Sequence, residues 1–173
     1  EFEHDLYVED MAIDSFNEAL AKYEQGQAGD TKSFKFAITH LAHCIELVLK
    51  MYLQTLDEFL VFSKCFKEVA KRAKSDGSDL LSAFTALKGE GFDLESLVQG
   101  HPCPHTVTVE QALSVAMCEV CKITGNKFVG QDFVDDINWM KGLRNSIEHF
   151  EFDFTPKEVR LCIGRLIRGL AEF

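Results

Sequence analysis

No stretch of this chain reaches the roughly 18 uninterrupted apolar residues that a membrane-spanning helix requires, and no basic-then-apolar leader stands at its start. The expectation is a soluble, cytoplasmic protein without a membrane partner. No Gly-rich phosphate loop, Gly-x-Ser-x-Gly elbow or His-Glu-x-x-His is present, which removes several enzyme classes. Internal repeats, a series of strands and low-complexity tracts are missing too. The six cysteines, at 44, 65, 103, 118, 121 and 162, show no tight framework spacing, so reduced thiols are expected rather than disulfides. Basic residues are in short supply, with 18 Lys and Arg against 28 Asp and Glu and a net charge of −10. A protein that coats nucleic acid carries a basic surface, because neutralising phosphates drives most of that affinity. Any RNA contact here should therefore be local, in a cleft, and extended duplex binding is disfavoured.

What the chain does have is apolar bulk. Hydrophobic residues make up 46% of its 173 positions, and 15 Phe against one Trp and three Tyr suggest a densely aromatic core. That length suffices for a single domain, residues 1–173, with a core of its own. The chain begins at Glu1 rather than Met, which also admits an accessory domain of a larger protein.

Helical periodicity runs through most of the sequence. Met11, Ala12, Phe16, Ala19, Leu20 and Tyr23 mark a first amphipathic helix from Asp5 to about Gln25, ended by Gly26 to Asp30. The next, about Ser33 to Phe62, is apolar almost all round, with one narrow polar stripe of Thr39, His43, Glu46 and Lys50. Such a helix is normally central. A carboxylate in that setting needs a partner, since an unpaired buried charge costs several kcal/mol. Lys50, one turn on, and Arg144, from another helix, are both candidates for Glu46; a plain surface Glu-Lys pair is the alternative. His40 falls on the apolar side as a core histidine.

Residues 64–75 form the only basic cluster, a short helix stopped by Asp76-Gly77. It is either a solvated face or a contact for a phosphate backbone or polyanionic partner. An irregular connection follows over about 76–107, with a short helical piece around Leu80 to Leu87. Thr108 then opens a helix with Gln111 placed for a capping box, and Val109, Ala112, Leu113, Ala116, Val120 and Ile123 carry its apolar stripe to Gly125. Pro156 suits the first turn of a last helix bearing Val159, Leu161, Cys162, Leu166, Ile167 and Leu170. The class expected is all-α, a compact bundle of about five or six helices.

The segment Trp139 to Phe150 organises the rest. Wound at about 100° per residue, it gathers Phe133, Trp139, Met140, Leu143, Ile147 and Phe150 into one apolar arc, and sets Asn138, Lys141, Asn145, Glu148 and His149 opposite. Arg144 falls at the seam, roughly 140° from His149, with Asn145 and Glu148 between them. Asn145 and His149, four residues apart, share a face. A permanent cation, an amide that donates and accepts, and an imidazole that exchanges a proton near neutral pH suit phosphoester chemistry. A solvated helix face is the plain alternative.

A rival constellation is His101-Pro-Cys103-Pro-His105 followed by Cys118-Glu-Val-Cys121, which has the residue types for zinc. Against it, Cys118 and Cys121 fall inside an apolar helical pattern, and Cys-x-x-Cys on a helix is not the knuckle that structural zinc favours. No metal or other cofactor is expected.

The run Arg144-Asn145-Ser146-Ile147-Glu148-His149 resembles the signature of the HEPN superfamily, whose nuclease members carry Arg, a polar residue, a short spacer and His on a late helix. Upstream, Ile38 to Lys50 looks like the long second helix of such domains, with its inward Glu46 and Lys50 one turn later. The similarity covers the two ends of the chain better than its middle. It implies a HEPN-like helical domain and a metal-independent endoribonuclease that works as a homodimer, on RNA such as tRNA or mRNA. Arg144, Asn145 and His149 would be catalytic, supported by Glu46, Lys50 and Glu148. Family members with this activity are often toxins or phage-defence effectors restrained by an antitoxin or other regulatory partner. Some carry Tyr two residues after the His as a modification site, where this chain has Glu151. A catalytically inactive HEPN-like module, serving dimerisation or ligand binding, is the alternative that the net charge favours.

Overall fold

A computed structural model of the chain describes residues 2–120, 122–148 and 155–172. Among these residues the protein is all-α, with seven helices: α1 Phe2–Gln27, α2 Ser33–Leu56, α3 Ser63–Asp76, α4 Leu80–Gly89, α5 Val109–Ala116, α6 Gln131–Glu148 and α7 Pro156–Glu172. A single 3-10 turn spans Glu95–Leu97. The count exceeds the expected five or six because the stretches around 64–75 and 80–87 are both full helices. Each has its own end signal. Gly77, at φ 64°, closes α3, and Asp79 accepts the Ser82 amide at the start of α4.

Two helices stop earlier than their apolar spacing suggests. α2 ends at Leu56 rather than about Phe62, because Asp57 Oδ1 accepts the Phe59 amide at 2.9 Å and its carbonyl takes the Leu60 amide. That side chain competes with the helical ladder and wins. α5 opens with the capping box expected of Thr108 and Gln111 but ends at Ala116. Beyond it Val120 bridges Lys127 and the Phe128 amide reaches the Glu119 carbonyl, with Gly125 at φ 69° in the connecting turn. Cys118, Val120 and Ile123 therefore lie outside α5, and Ile123 is 95% exposed rather than on an apolar stripe.

Contacts divide the chain into two compact units, residues 1–48 with 129–173, and residues 49–128. In the first, Ala12 and Ala19 of α1, Ile38, Leu41 and Ile45 of α2, Ile137 and Met140 of α6, and Ile163 and Leu166 of α7 are all buried. Each large aliphatic side chain so buried contributes about 1.5–3 kcal/mol. The turn from α1 into α2 is fastened by the Ser33 hydroxyl on Asp30 at 2.8 Å and by an edge-on Tyr23–Phe34 pair with ring centroids 5.9 Å apart.

In the second unit α3 packs on α4 and α4 on α5. Cys65, Phe66, Val69 and Ala73 form the inner face of α3, and Ala83, Phe84 and Leu87 that of α4. The loop before α5 is tied to the start of α3: the Ser63 amide donates to the His105 carbonyl at 2.8 Å, and the Val107 amide to the Val61 carbonyl at 2.9 Å.

By length and composition α2 is apolar enough to cross a bilayer, with mean hydropathy 1.3 over its most apolar stretch, although it holds no uninterrupted apolar run of that length. Its polar residues explain the difference. They interrupt the run without lowering the average much, and Leu41 and Ile45 of the same helix are fully buried within the protein.

Candidate functional site

α6 carries the candidate site. Val134, Ile137, Met140 and Leu143 recur every three residues and are buried, which fixes the face that turns inward. Trp139, expected in that apolar arc, is instead 38% exposed, because it falls well to one side of this buried row. Phe133 and Ile147 are half-buried. Phe150 lies outside the described residues.

Near the end of α6, Arg144 is half-buried and Asn145 is exposed. Glu148 is the last helical residue, and only its backbone is described. His149 lies outside the described residues, as does Glu151. Glu46, half-buried on α2, belongs to the same compact unit as Arg144 and Asn145. Lys50 belongs to the other unit, where its ammonium donates to the Thr106 hydroxyl at 3.0 Å. Thr39 and His43 on the polar stripe of α2 are exposed, and His40 is half-buried rather than a core histidine.

The first half of α6 is held in place from α7. Asp136, buried on α6, accepts from Arg165 through both carboxylate oxygens, Nε to Oδ2 at 3.0 Å and Nη2 to Oδ1. Val159, Cys162, Ile163 and Leu166 make the buried face of α7. Gly169 of α7 leaves room for the Phe133 ring, which any larger residue there would strike. α7 itself starts on a reciprocal cap: the Glu158 amide donates to the Thr155 hydroxyl at 3.3 Å and the Glu158 carboxylate accepts the Thr155 amide at 2.9 Å. The Thr155 amide, and after it the Thr155 hydroxyl donating to the same carboxylate oxygen at 3.0 Å, hold the Glu158 carboxyl below the usual carboxylate range.

Sequence reasoning missed the Asp136–Arg165 pair and the Thr155 cap. The signals were present: a carboxylate on the apolar side of α6 demands a cation, and Thr-Pro-Lys-Glu has the spacing of a capping box.

The cysteine-histidine constellation is not assembled among the described residues. Cys103 is exposed, while Cys118 is half-buried with its thiol donating to the Ser114 carbonyl at 3.3 Å. His101 is engaged with Lys64, Nε2 to Nζ at 2.5 Å. No group of three or more His, Cys, Asp or Glu side chains suited to a metal ion occurs among the described residues, and Cys121 lies outside them.

A recess of about 300 Å³ in the 49–128 unit lies between Phe59, Phe92 and Leu94 and is rimmed by Asp57, Glu58, Asp93 and Glu95. Its one cation, Lys88, is paired with Asp57. Four carboxylates against one ammonium repel phosphate, so this cavity does not suit an RNA backbone.

No protein-family model matches the chain, and no curated protein or solved structure is similar to it. A functional reading therefore rests on the chain's own residues.

Proposed function

We propose that the protein is a metal-independent endoribonuclease of the HEPN type, acting as a toxin or phage-defence effector in the cytoplasm. The observation that carries the reading is the run from Arg144 to His149, whose half-buried arginine and exposed asparagine stand near the end of a late helix in an all-α chain. A guanidinium anchored at the edge of an apolar face is held in one direction, while its polar neighbour remains open to a ligand.

In this reading His149 takes the proton from a ribose 2′-hydroxyl, and the 2′-oxygen forms a bond to phosphorus as the bond to the 5′-oxygen breaks. A protonated imidazole returns a proton to the departing 5′-oxygen, leaving a 2′,3′-cyclic phosphate and a 5′-hydroxyl. Arg144 stabilises the charge that grows on the phosphoryl oxygens, and Asn145 orients one of the two partners. A homodimer brings two copies of Arg144 and His149 to one cleft, which suits local RNA contact by a protein of net charge −10. Glu46 positions Arg144, with Lys50 and Glu148 in support, and an antitoxin or regulatory partner restrains the activity.

The test is incubation of the purified protein with total RNA and with tRNA, in EDTA, beside Arg144→Ala and His149→Ala. Discrete fragments with cyclic-phosphate ends, lost in both variants, are expected. Intact RNA at high enzyme excess would instead favour the second reading, a HEPN-like module without cleavage activity that serves dimerisation or ligand binding. The acidic net charge is what favours that reading.

A further inference from the structure

Although the chain as a whole is acidic, α3 concentrates positive charge on one side. Lys64, Lys67, Lys71 and Lys74 are all exposed. At about 100° per residue they fall within an arc of roughly 80°, and at 1.5 Å per residue they span about 15 Å of helix. That arc is centred opposite the buried face made by Cys65, Phe66, Val69 and Ala73. The stripe therefore points straight into solvent.

The nearby acids are largely committed elsewhere. Asp76 and Glu90 both bind the Arg72 guanidinium, on the flank of the helix, with Glu90 forming two bonds at 2.6 and 2.9 Å. Their attachment raises the Arg72 basicity still further and holds the Glu90 carboxyl below its usual range. Glu68 approaches only Lys71, at 3.9 Å, between side chains 36% and 79% exposed, a distance and setting worth little in water. Among the described residues, Lys67 and Lys74 make no ion pair.

Basic groups also gather at the start of the helix. His101 lies against Lys64. The His105 carbonyl holds the Ser63 amide, and the next residue, Thr106, holds Lys50. The first turn of α3 contains no acid, and Phe62 offers it no side-chain acceptor, so the positive end of the helix dipole adds to the same field.

We propose that this lysine stripe is a docking surface for the backbone of single-stranded nucleic acid. A row of point charges every 4.5–6 Å complements a row of phosphates and carries no sequence preference. Its narrowness selects one strand: a duplex would bring the remainder of an acidic surface close to a second row of phosphates. The surface is independent of Arg144 and of any cleavage.

The experiment is fluorescence anisotropy of the full chain with a labelled single-stranded DNA, which lacks the 2′-hydroxyl and so cannot be cut by the chemistry above. Salt is varied from 25 to 200 mM. Four lysine contacts predict binding at low salt with a slope of log K against log salt of roughly −3, about 0.7 per contact. The variant K64Q/K67Q/K71Q/K74Q should lose at least tenfold in affinity at the lowest salt and most of that slope, with unchanged circular dichroism. The corresponding Lys→Arg variant should retain both. Failure of the parent to bind at 25 mM salt, or binding that survives the quadruple Gln variant, overturns the proposal. So does salt-sensitive self-association of the parent, abolished by the Gln substitutions, in a protein that ignores the DNA: the occupant is then a second acidic copy of the chain.

Discussion

Arg165 holds Asp136 through two guanidinium nitrogens, although 67% of the arginine side chain is exposed and only 6% of the aspartate. The asymmetry decides what each loss costs. Removing the arginine strands a buried carboxylate, whereas removing the carboxylate charge leaves a guanidinium that water can solvate. Arg165→Met should therefore lower stability by about 2–3 kcal/mol, and Asp136→Asn, which keeps an acceptor for Arg165, by about 1 kcal/mol. Urea unfolding of both variants checks this. A larger loss in Asp136→Asn would mean that the pair is not what fastens α7 to α6.

How much of this was legible beforehand can be traced residue by residue. Thr108 with Gln111, and Gly77 after Asp76, are local chemistry, so the start of α5 and the end of α3 were readable from spacing alone. The end of α2 was not, because Leu60 and Val61 continue its apolar rhythm while the Asp57 side chain diverts the backbone. Val120 and Ile123 prolong the rhythm of α5 in the same way, yet both are exposed. Periodicity records which residues would share a face if the helix continued; it does not record a turn that stops it. At the candidate site, the placing of Arg144 and Asn145 on a late helix followed from sequence. The Asp136–Arg165 tie did not, since it joins residues 29 apart that no local pattern links.

Two helical glycines should respond in opposite directions to the same substitution. A methyl group at Gly142 of α6 meets nothing within 4 Å, while one at Gly26 of α1 would lie 2.7 Å from the ring of Phe34. Gly142→Ala should gain the ordinary helix preference, about 0.5–1 kcal/mol. At Gly26 the same gain is outweighed by displacement of a buried ring, for a net loss of about 1 kcal/mol or more. In a chain of this length each kcal/mol moves Tm by about 2–4 °C, so thermal melts of the two variants should shift apart. A rise at both positions would show that Phe34 relaxes freely.

Four of the six thiols should fall into two kinetic classes. Cys103 is exposed, whereas Cys44, Cys65 and Cys162 are buried. Burial, with Asp57 as a lesser cause, pushes the Cys65 thiol up to about 11. Burial and then Asp136 push Cys162 up to about 12, against a smaller opposing effect of Arg165. At pH 8 an ordinary thiol is about one-quarter thiolate, while Cys65 would be about one part in a thousand and Cys162 one in ten thousand. Treatment with a disulfide reagent at pH 8, followed by mass mapping, should label Cys103 within minutes and the three buried cysteines only on unfolding. Rapid labelling of Cys162 would mean that the α6–α7 contact opens readily.

If the endoribonuclease reading holds, its residues should rank in a fixed order. Arg144 meets the charge that develops in the transition state, so Arg144→Ala should reduce kcat by about 10²–10³, the usual cost of one such donor. His149→Ala removes proton transfer, worth about 10²–10⁴. Glu46 acts only through Arg144, so Glu46→Gln, which keeps size and one acceptor, should cost about tenfold or less, because it leaves the guanidinium present but less well held. Single-turnover cleavage of one defined RNA gives all three numbers, and because KM should change little in Glu46→Gln, separating kcat from KM distinguishes positioning from RNA affinity. Should Glu46→Gln cost as much as Arg144→Ala while melting at the parent temperature, Glu46 would itself touch the reacting atoms. A chain that cuts RNA equally well in all three variants would remove the α6 site from the reaction altogether.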